Sequence, residues 1–233
     1  PLRRQRQMCI RDSKYTPSYL AQGIRTGKTK TIAMVVPEYT NIFYNELFRG
    51  VEDMALKYGY MVFVCNTERS RRSEIEYIEE ILKRNVDGII YNTYSNSEEM
   101  LNFLRSLSQK LPVVYTNHLF QEDEPVSYVY TDGFESNREA VHFLYEKGRT
   151  TIGYIRNTTD ISVIEDRYEG YLQGLRDCGI PFREEYVYRA KQSTEPDYIA
   201  LGADAAKYYE GLDATPKAVI AAIDALAIGC VPV

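Results

Sequence analysis

Residues 31–67 read TIAMVVPEYTNIFYNELFRGVEDMALKYGYMVFVCNT and contain one complete strand–helix–strand unit. The run Thr31–Pro37 is apolar and rich in β-branched residues, which predicts a buried strand closed by proline. Apolar residues then recur at helical spacing over Asn41–Tyr58, and Gly59 ends this predicted helix. The next strand is predicted over Tyr60–Thr67. A helix that connects two such strands predicts that the strands pair in parallel.

Strand and helix patterns alternate along the rest of the chain. Such alternation predicts an α/β fold in which parallel sheets are flanked by helices on both faces. The 233 residues suffice for two lobes, and the pattern places the boundary between them near Gly148. The further predicted strands are Val86–Asn92, Pro112–Asn117, Tyr128–Asp132, Thr151–Asn157, Glu185–Ala190 and Ala218–Ile223, and the further predicted helices are Ser73–Asn85, Ser97–Gln109, Glu135–Lys147, Ser162–Cys178 and Asp197–Leu212.

Charge is distributed unevenly along the chain. Residues 1–30 carry eight Lys or Arg and one Asp, whereas the remainder carries 20 basic and 32 acidic residues. Because an acidic body is repelled by phosphate, any contact with nucleic acid is expected at the N-terminus. The 44% hydrophobic and 26% charged residues are the ordinary balance of a globular domain.

Several classes of site are not predicted. The four cysteines are far apart and form no C-x-x-C pair, which fits free thiols in a reducing compartment. With two histidines in the chain, neither a metal site nor a cofactor is expected. No nucleophile–base pair or glycine-rich phosphate loop is recognisable, so the chain is not predicted to be an enzyme. Without a long apolar run or a secretory signal pattern, the chain is predicted to be cytoplasmic and away from the membrane.

The carboxyl ends of the predicted strands are where a ligand is expected. In open parallel sheets, ligands bind in the crevice outside these ends. Functional side chains are therefore expected in the segments that follow the predicted strands, namely Pro37–Tyr44, Asn66–Arg72, Asn92–Asn96, Asn117, Asp132 and Arg156–Arg167.

The segment Tyr15–Thr29, YTPSYLAQGIRTGKT, resembles the hinge helix of the lactose-repressor (LacI/GalR) family. In that family the pattern Y-x-P-N-x-x-A-R-x-L-x-x-G-K joins a helix-turn-helix headpiece to an effector domain. Further short motifs follow in the order and spacing of the family over about 215 residues. These motifs are Val36–Pro37 with Asn41–Tyr44, Asn85–Ile90, Gly148–Gly153, Asp166–Tyr171 and Asp224–Gly229.

The resemblance implies a two-lobed, periplasmic-binding-protein-like (type I) fold. Residues 14–29 would form the hinge helix and linker, residues 30–148 the N-terminal lobe, and residues 149–233 a C-terminal lobe cut short relative to the family. Residues 1–13 do not resemble the headpiece and are interpreted as a foreign, adapter-derived leader. The chain is accordingly interpreted as a fragment of a longer regulator.

The resemblance also implies a DNA-contacting hinge. In the family, two hinge helices pair in the minor groove and wedge an apolar side chain between base steps. Pro17, Ala21, Gln22 and Ile24 would have this role here, with Gln22 where arginine is usual and Ile24 where leucine is usual. The alternative interpretation is a linker that is disordered without DNA.

Four residues are predicted to bind the effector. Phe43 and Tyr44 match the aromatic pair that packs against it in the family, with Phe43 expected to pack inward; alternatively both are core residues. Asp132 would accept hydrogen bonds from sugar hydroxyls, or would instead cap the following helix. Arg167 would donate its guanidinium fork to the ligand from the other lobe, or would instead pair with an acid on its own helix.

The implied function is ligand-gated repression of transcription. A small effector, expected to be a sugar, would bind between the lobes and change whether the hinges form on operator DNA. Since two hinges require two chains, a homodimer is expected. The main alternative is a periplasmic sugar-binding protein of a transport system, which shares the lobes; the hinge-like segment Tyr15–Thr29 argues against it.

Overall fold

The computed structural model divides the chain into two compact units, one ending at Tyr130 and the other beginning at Thr131. Each unit contains a parallel β-sheet with helices, which confirms the predicted α/β class. The leader 1–13 and the predicted hinge residues Pro17, Ala21, Gln22 and Ile24 lie outside the described residues, so their roles stay predictions. The structure describes residues 27–38, 41–67, 74–93, 95, 97–120, 123–156, 162–190 and 197–231.

Strands and helices alternate in the first unit as the sequence predicts. The short strand β5 differs most, since it was expected over Tyr128–Asp132 and ends at Tyr128. Asp132 instead caps the helix that opens the second unit. The elements of the first unit are β1 (Thr31–Val36), α1 (Ile42–Lys57), β2 (Met61–Asn66), α2 (Glu74–Leu82), β3 (Gly88–Tyr91), α3 (Glu98–Lys110), β4 (Val113–Tyr115) and β5 (Ser127–Tyr128).

β1 lies inside the first sheet with a later strand on each side. Among the described residues, the strand order is β2–β1–β3–β4–β5 and all neighbours are parallel. Val35 of β1 lies opposite Cys65 of β2 and Tyr91 of β3. The direction of winding therefore reverses at β1, which opens a crevice at the carboxyl edge of the sheet.

The ends of the helices in this unit follow local capping chemistry. Asn41 accepts a hydrogen bond from the Phe43 N–H at 3.0 Å where α1 begins. Ser97 accepts one from the Met100 N–H at 3.3 Å where α3 begins. Such caps satisfy backbone donors that the first helical turn leaves free. Gly59 has a φ of 70°, a left-handed conformation that ends the helical segment and turns the chain into β2.

The core of the first unit is built on both faces of β1. Ala33 and Val35 point to one face of the sheet, and Met34 and Val36 point to the other, because successive strand side chains alternate. All four residues are at most 1% exposed, which explains the continuous apolar run in the sequence. Buried helix residues that cover these two faces are Ile78, Leu104 and Leu107 on the first and Tyr44 on the second.

The second unit repeats this architecture on a smaller scale. Its described strands form a parallel sheet in the order β7–β6–β8, so β6 again lies in the middle. Its elements are α4 (Gly133–Glu146), β6 (Ile152–Arg156), α5 (Ser162–Asp177), a 3₁₀ turn (Glu184–Tyr186), β7 (Val187–Arg189), α6 (Tyr198–Glu210), β8 (Ala218–Ala221) and α7 (Asp224–Cys230).

The boundary between the units lies earlier than the position predicted near Gly148. Helix α4 belongs to the second unit because it packs along α5. A Cβ atom on Gly170 would lie 2.1 Å from the carbonyl oxygen of Phe134. One turn later, a Cβ on Gly174 would lie 2.7 Å from the Cβ of Val141. The two glycines share a helix face and let the backbones of α4 and α5 approach closely.

We expect Gly170→Ala to destabilise the second unit by about 1–3 kcal/mol or more, because the added methyl group overpacks a backbone contact. The matched control is Gly50→Ala in α1, where an added Cβ would meet nothing within 4 Å. That change should stabilise the protein by roughly 0.5–1 kcal/mol, since alanine loses less backbone entropy than glycine. Urea unfolding of the three proteins measures both effects. Equal stability of Gly170→Ala and the parent chain would contradict the close helix contact.

Candidate functional site

Buried polar residues collect at the carboxyl edge of the first sheet. Thr67 follows β2, Asn92 and Thr93 follow β3, and Asn117 lies shortly after β4. These residues are between 0% and 8% exposed. Burying polar groups is unfavourable unless they form hydrogen bonds. Their position at one edge therefore requires partners from the protein, from water or from a ligand.

Asn92 is held from two sides by hydrogen bonds. Its Oδ1 accepts from the hydroxyl of Tyr44 at 3.0 Å, and its Nδ2 donates to Oγ1 of Thr116 at 2.8 Å. Tyr44 is 4% exposed, so its ring belongs to the core while its hydroxyl positions Asn92. Sequence reasoning named Tyr44 as a site residue and included Asn92 only in the expected segment Asn92–Asn96, because it follows a buried strand. It did not predict that Tyr44 and Asn92 are hydrogen-bonded to each other.

Phe43 lies outward beside this edge. It is 50% exposed, and its ring meets that of Tyr44 edge-on with 5.2 Å between centroids. The expectation that Phe43 packs inward is wrong. Because α1 begins at Ile42, the helical turn of about 100° per residue directs Tyr44 toward the sheet and Phe43 toward solvent. The exposed ring is available for stacking on a ligand.

Two buried polar atoms after β4 have no hydrogen-bond partner within the described part of the chain. Asn117 donates from Nδ2 to the carbonyl oxygen of Thr93 at 2.7 Å, which leaves its Oδ1 without a donor. Nε2 of His118 is likewise buried and unpartnered, while the ring stacks on Tyr130 at 5.0 Å. An unsatisfied buried group costs about 1–3 kcal/mol. A water or a ligand group is therefore expected to complete both.

Glu74 of α2 is hydrogen-bonded to two residues at the end of β3. Its carboxylate accepts from the hydroxyl of Tyr91 at 2.6 Å and from Oγ1 of Thr93 at 2.9 Å. Burial, reinforced by the adjacent carboxylate, raises the pKa of Tyr91 far above its usual range, so Tyr91 remains a neutral donor. These bonds set the position of Thr93, whose carbonyl in turn orients the amide of Asn117.

In the second unit, Arg167 of α5 reaches the end of β8. Its Nη1 donates to the carbonyl oxygen of Ala222 at 2.6 Å, and the side chain is half-buried. The guanidinium thus lies at the carboxyl edge of the second sheet, the edge at which such sheets bind ligands. Burial raises the pKa of the Tyr154 hydroxyl above its usual range, and the nearby charge of Arg167 offsets part of that rise.

A second arginine lies at the end of β6. Arg156 pairs with Glu165, and its guanidinium carbon lies 4.7 Å from the ring centroid of Tyr168, a cation–π contact. The hydroxyl of Tyr154, on the same strand, is buried and unpartnered within the described residues. This edge therefore combines cationic and aromatic groups, whereas the described part of the first sheet's edge presents mainly amides and hydroxyls.

Asp132 caps α4. Its side chain accepts a hydrogen bond from the Glu135 N–H at 3.0 Å, and the residue is exposed. The structure thus contains the cap that was one of its two predicted roles; its contact with a ligand stays a prediction. Asp132 also lies in the same unit as Arg167, so the expectation that they come from different lobes is wrong. The reason is the assignment of α4 to the second unit by its packing on α5.

Each of the two edges, taken by itself, has groups that suit the binding of a small polar molecule. The first unit offers amides, hydroxyls and the exposed apolar ring of Phe43, and the second unit offers guanidinium groups that can donate hydrogen bonds. Among the described residues, no three His, Cys, Asp or Glu side chains are grouped to hold a metal ion. Within those residues, no helix combines the length and apolar character needed to cross a membrane.

Known sequences similar to this chain are named as regulators of transcription. The chain is 29% identical over 223 residues to the HTH-type transcriptional regulator RegA of Clostridium saccharobutylicum, covering 95% of this chain and 65% of RegA. It is 31% identical over 179 residues to the NTD biosynthesis operon regulator NtdR of Bacillus subtilis, covering 77% of this chain and 53% of NtdR. The chain thus spans just under two thirds of RegA and about half of NtdR.

Solved structures share the fold. A regulatory protein of the LacI family from Chloroflexus aggregans superposes with a TM-score of 0.70 at 24% identity, over 86% of this chain and 70% of that one. The transcription regulator CcpA of Lactococcus lactis gives a TM-score of 0.64 at 23% identity, over 86% and 70% of the two chains. Both superpositions support a periplasmic-binding-protein-like architecture.

The sequence profile of one family covers nearly the whole chain. Residues 29–233 match the family described as periplasmic binding proteins and sugar binding domain of LacI family. The match begins at the residues that lead into β1 and includes both sheets. The chain therefore belongs to the family of periplasmic binding proteins and LacI-type sugar-binding domains.

Proposed function

We propose that this chain is the effector-binding part of a ligand-responsive transcriptional regulator, and that its effector is a small polyhydroxylated molecule, expected to be a sugar. One observation carries the proposal: the buried amides and hydroxyls at the carboxyl edge of the first sheet include Oδ1 of Asn117, an acceptor that no described residue supplies with a donor. A ligand hydroxyl can donate to that atom without needing a charge of its own.

Within the second unit, we propose Arg167 as a donor to a ligand. Its bond to Ala222 occupies one of the five N–H groups of a guanidinium, and the planar fork suits a hydroxyl or carboxylate. One carboxylate oxygen of Asp132 caps α4. We propose that its second oxygen accepts a hydrogen bond from a ligand hydroxyl. Phe43 would stack on the apolar face of the ligand, while Tyr44 acts through Asn92.

A role in transcription is favoured over a role in transport. The named relatives RegA and NtdR are described as regulators, and the segment Tyr15–Thr29 resembles a hinge helix. In the intact protein, Pro17, Ala21, Gln22 and Ile24 would contact operator DNA, and the effector would change the affinity for that DNA. A periplasmic sugar-binding protein of a transport system remains the alternative, because it would share both sheets.

We further propose that the regulator is a homodimer that pairs through an apolar groove on α1. The groove has a volume of about 570 Å³ and is bordered by β1 and β3. Its one charged lining residue, Glu46, forms an ion pair with Arg49. An exposed apolar surface of this kind marks an interaction site, and a two-fold axis would let each copy cover the other. The apolar lining residues on α1 are Leu47, Val51, Met54 and Ala55.

For effector binding, we expect Arg167→Ala to weaken affinity ten- to hundredfold, since a hydrogen bond from a charged donor contributes about 1.5–3 kcal/mol. Asn117→Ala should weaken affinity about fivefold through the loss of a neutral bond of about 1 kcal/mol. Calorimetric titration of the chain with a panel of pentoses, hexoses and nucleosides, beside thermal melts, measures both effects.

The control for this experiment is Arg176→Ala, which removes an exposed arginine from the same helix, where it donates to Gln173. It should leave the affinity unchanged. If Arg167→Ala and Arg176→Ala bind the ligand of the parent chain equally well, Arg167 has no place in the site.

For the dimer, we expect Met54→Lys to shift the chain toward monomer in sedimentation velocity. Met54 is 49% exposed and lines the groove, so a charge there would be buried in the interface. Leu56→Lys is the matched control, since Leu56 is 66% exposed on the same helical turn but does not line the groove. Equal dimer dissociation constants for the two variants would reject the groove as the interface.

A further inference from the structure

A cysteine, a histidine and an aspartate form a chain of two hydrogen-bond contacts where α4 and α5 pack together. Sγ of Cys178, the residue after α5, is 3.6 Å from Nδ1 of His142 on α4. Nε2 of His142 is 3.3 Å from Oδ2 of Asp177, the last residue of α5. None of these residues belongs to the proposed effector site. All three are in the second unit, so their arrangement depends on the packing of that unit alone.

The aspartate decides which nitrogen of His142 carries the proton. Oδ2 of Asp177 also accepts from Nε of Arg138 at 2.5 Å, and Oδ1 accepts from Nε2 of Gln173 at 2.7 Å. The hydrogen bond from Arg138, followed by those from Gln173 and His142, lowers the pKa of Asp177 to about 2. The ionised carboxylate can only accept, so Nε2 of His142 is the protonated nitrogen. Its Nδ1 lone pair then faces the thiol.

The thiol itself is neutral at rest. Burial raises the pKa of Cys178, and the carboxylates of Asp177 and Glu146 raise it further. Since the thiolate is the reactive form, these surroundings alone would make Cys178 inert. A neighbouring base that removes the proton during reaction has the opposite effect, and His142 is placed to be that base.

We propose that Cys178 is a modification site for α,β-unsaturated carbonyl compounds, with His142 as its proton acceptor and Asp177 as the residue that positions His142. In the reaction, the sulfur forms a bond to the β-carbon and the carbon–carbon π pair moves to the carbonyl as an enolate. The S–H proton passes to Nδ1 of His142. The imidazolium then returns this proton to the α-carbon, which leaves a thioether and a neutral histidine.

The solvent exposure of Cys178 and His142, compared with the surroundings of the other described cysteines, supports the assignment. Cys178 is half-buried and His142 has 42% of its side chain exposed, so a small reagent can approach from solvent. Cys65 is buried in the first unit, and burial raises the pKa of its thiol to about 11. Cys230 is half-buried at the end of α7, and burial raises its pKa as well. These two cysteines are internal references for reactivity.

The experiment measures alkylation of the folded chain by limiting N-ethylmaleimide, an α,β-unsaturated imide. After quenching at successive times, peptide mass spectrometry gives a separate rate for each cysteine. We expect Cys178 to react about tenfold faster than Cys65 or Cys230, a modest share of what a positioned base contributes. A rate at Cys178 no higher than that at Cys230 would overturn the proposal.

Variants separate base assistance from simple exposure. His142→Gln should slow Cys178 about tenfold. Asp177→Asn should slow it by a smaller factor, because the imidazolium loses its counter-charge while the removal of a carboxylate that raises the thiol pKa partly offsets that loss. Glu146→Gln is the matched control on α4: it removes a carboxylate that raises the thiol pKa, so the rate should rise or stay constant. Circular dichroism and thermal melts verify that each variant is folded. Alkylation of Cys178 in folded His142→Gln at the parental rate would refute the role of His142.

Discussion

The parallel pairing of β1 with both β2 and β3 is the constraint from which the architecture of the first unit follows. Strands that run in one direction end at one edge, so residues far apart in the sequence become neighbours there. Thr67, Asn92 and Asn117 each follow a different strand and lie at this edge. Their common burial follows from the buried apolar residues Ala33–Val36 of β1, which need helices on both faces of the sheet and leave the edge as the place for polar groups.

The hydrogen bonds at this edge divide into two kinds. Tyr44, Asn92 and Thr116 satisfy one another, and Glu74 receives Tyr91 and Thr93. These bonds link α1, α2, β3 and the end of β4, and they preorganise the edge before any ligand arrives. Oδ1 of Asn117 and Nε2 of His118 belong to the second kind. Both atoms are buried, and neither has a hydrogen-bond partner among the described residues. A rigid frame that carries unsatisfied polar atoms fits a binding site better than a purely structural network.

In the second unit, the corresponding constraint is the close contact of α4 with α5. Gly170 and Gly174 remove the side chains that would hold the helices apart. The contact brings His142 against the last turn of α5, where it meets Asp177 and Cys178. It also draws α4, with Asp132 at its start, into the unit that carries Arg167. One packing contact therefore determines both the domain boundary and the surroundings of a thiol.

The sequence by itself determined the fold class, the order of strands and helices, the family resemblance and the segments in which polar site residues would lie. It could do so because periodicity and capping are local properties that recur within a few residues. Only the tertiary structure decided that Tyr44 and not Phe43 packs inward, and that Asp132 belongs to the second unit. It also decided that Tyr44 donates a hydrogen bond to Asn92 and that His142 lies beside Cys178. Each of these depends on which helix face meets which neighbour, and helix packing joins residues tens of positions apart that no local pattern relates.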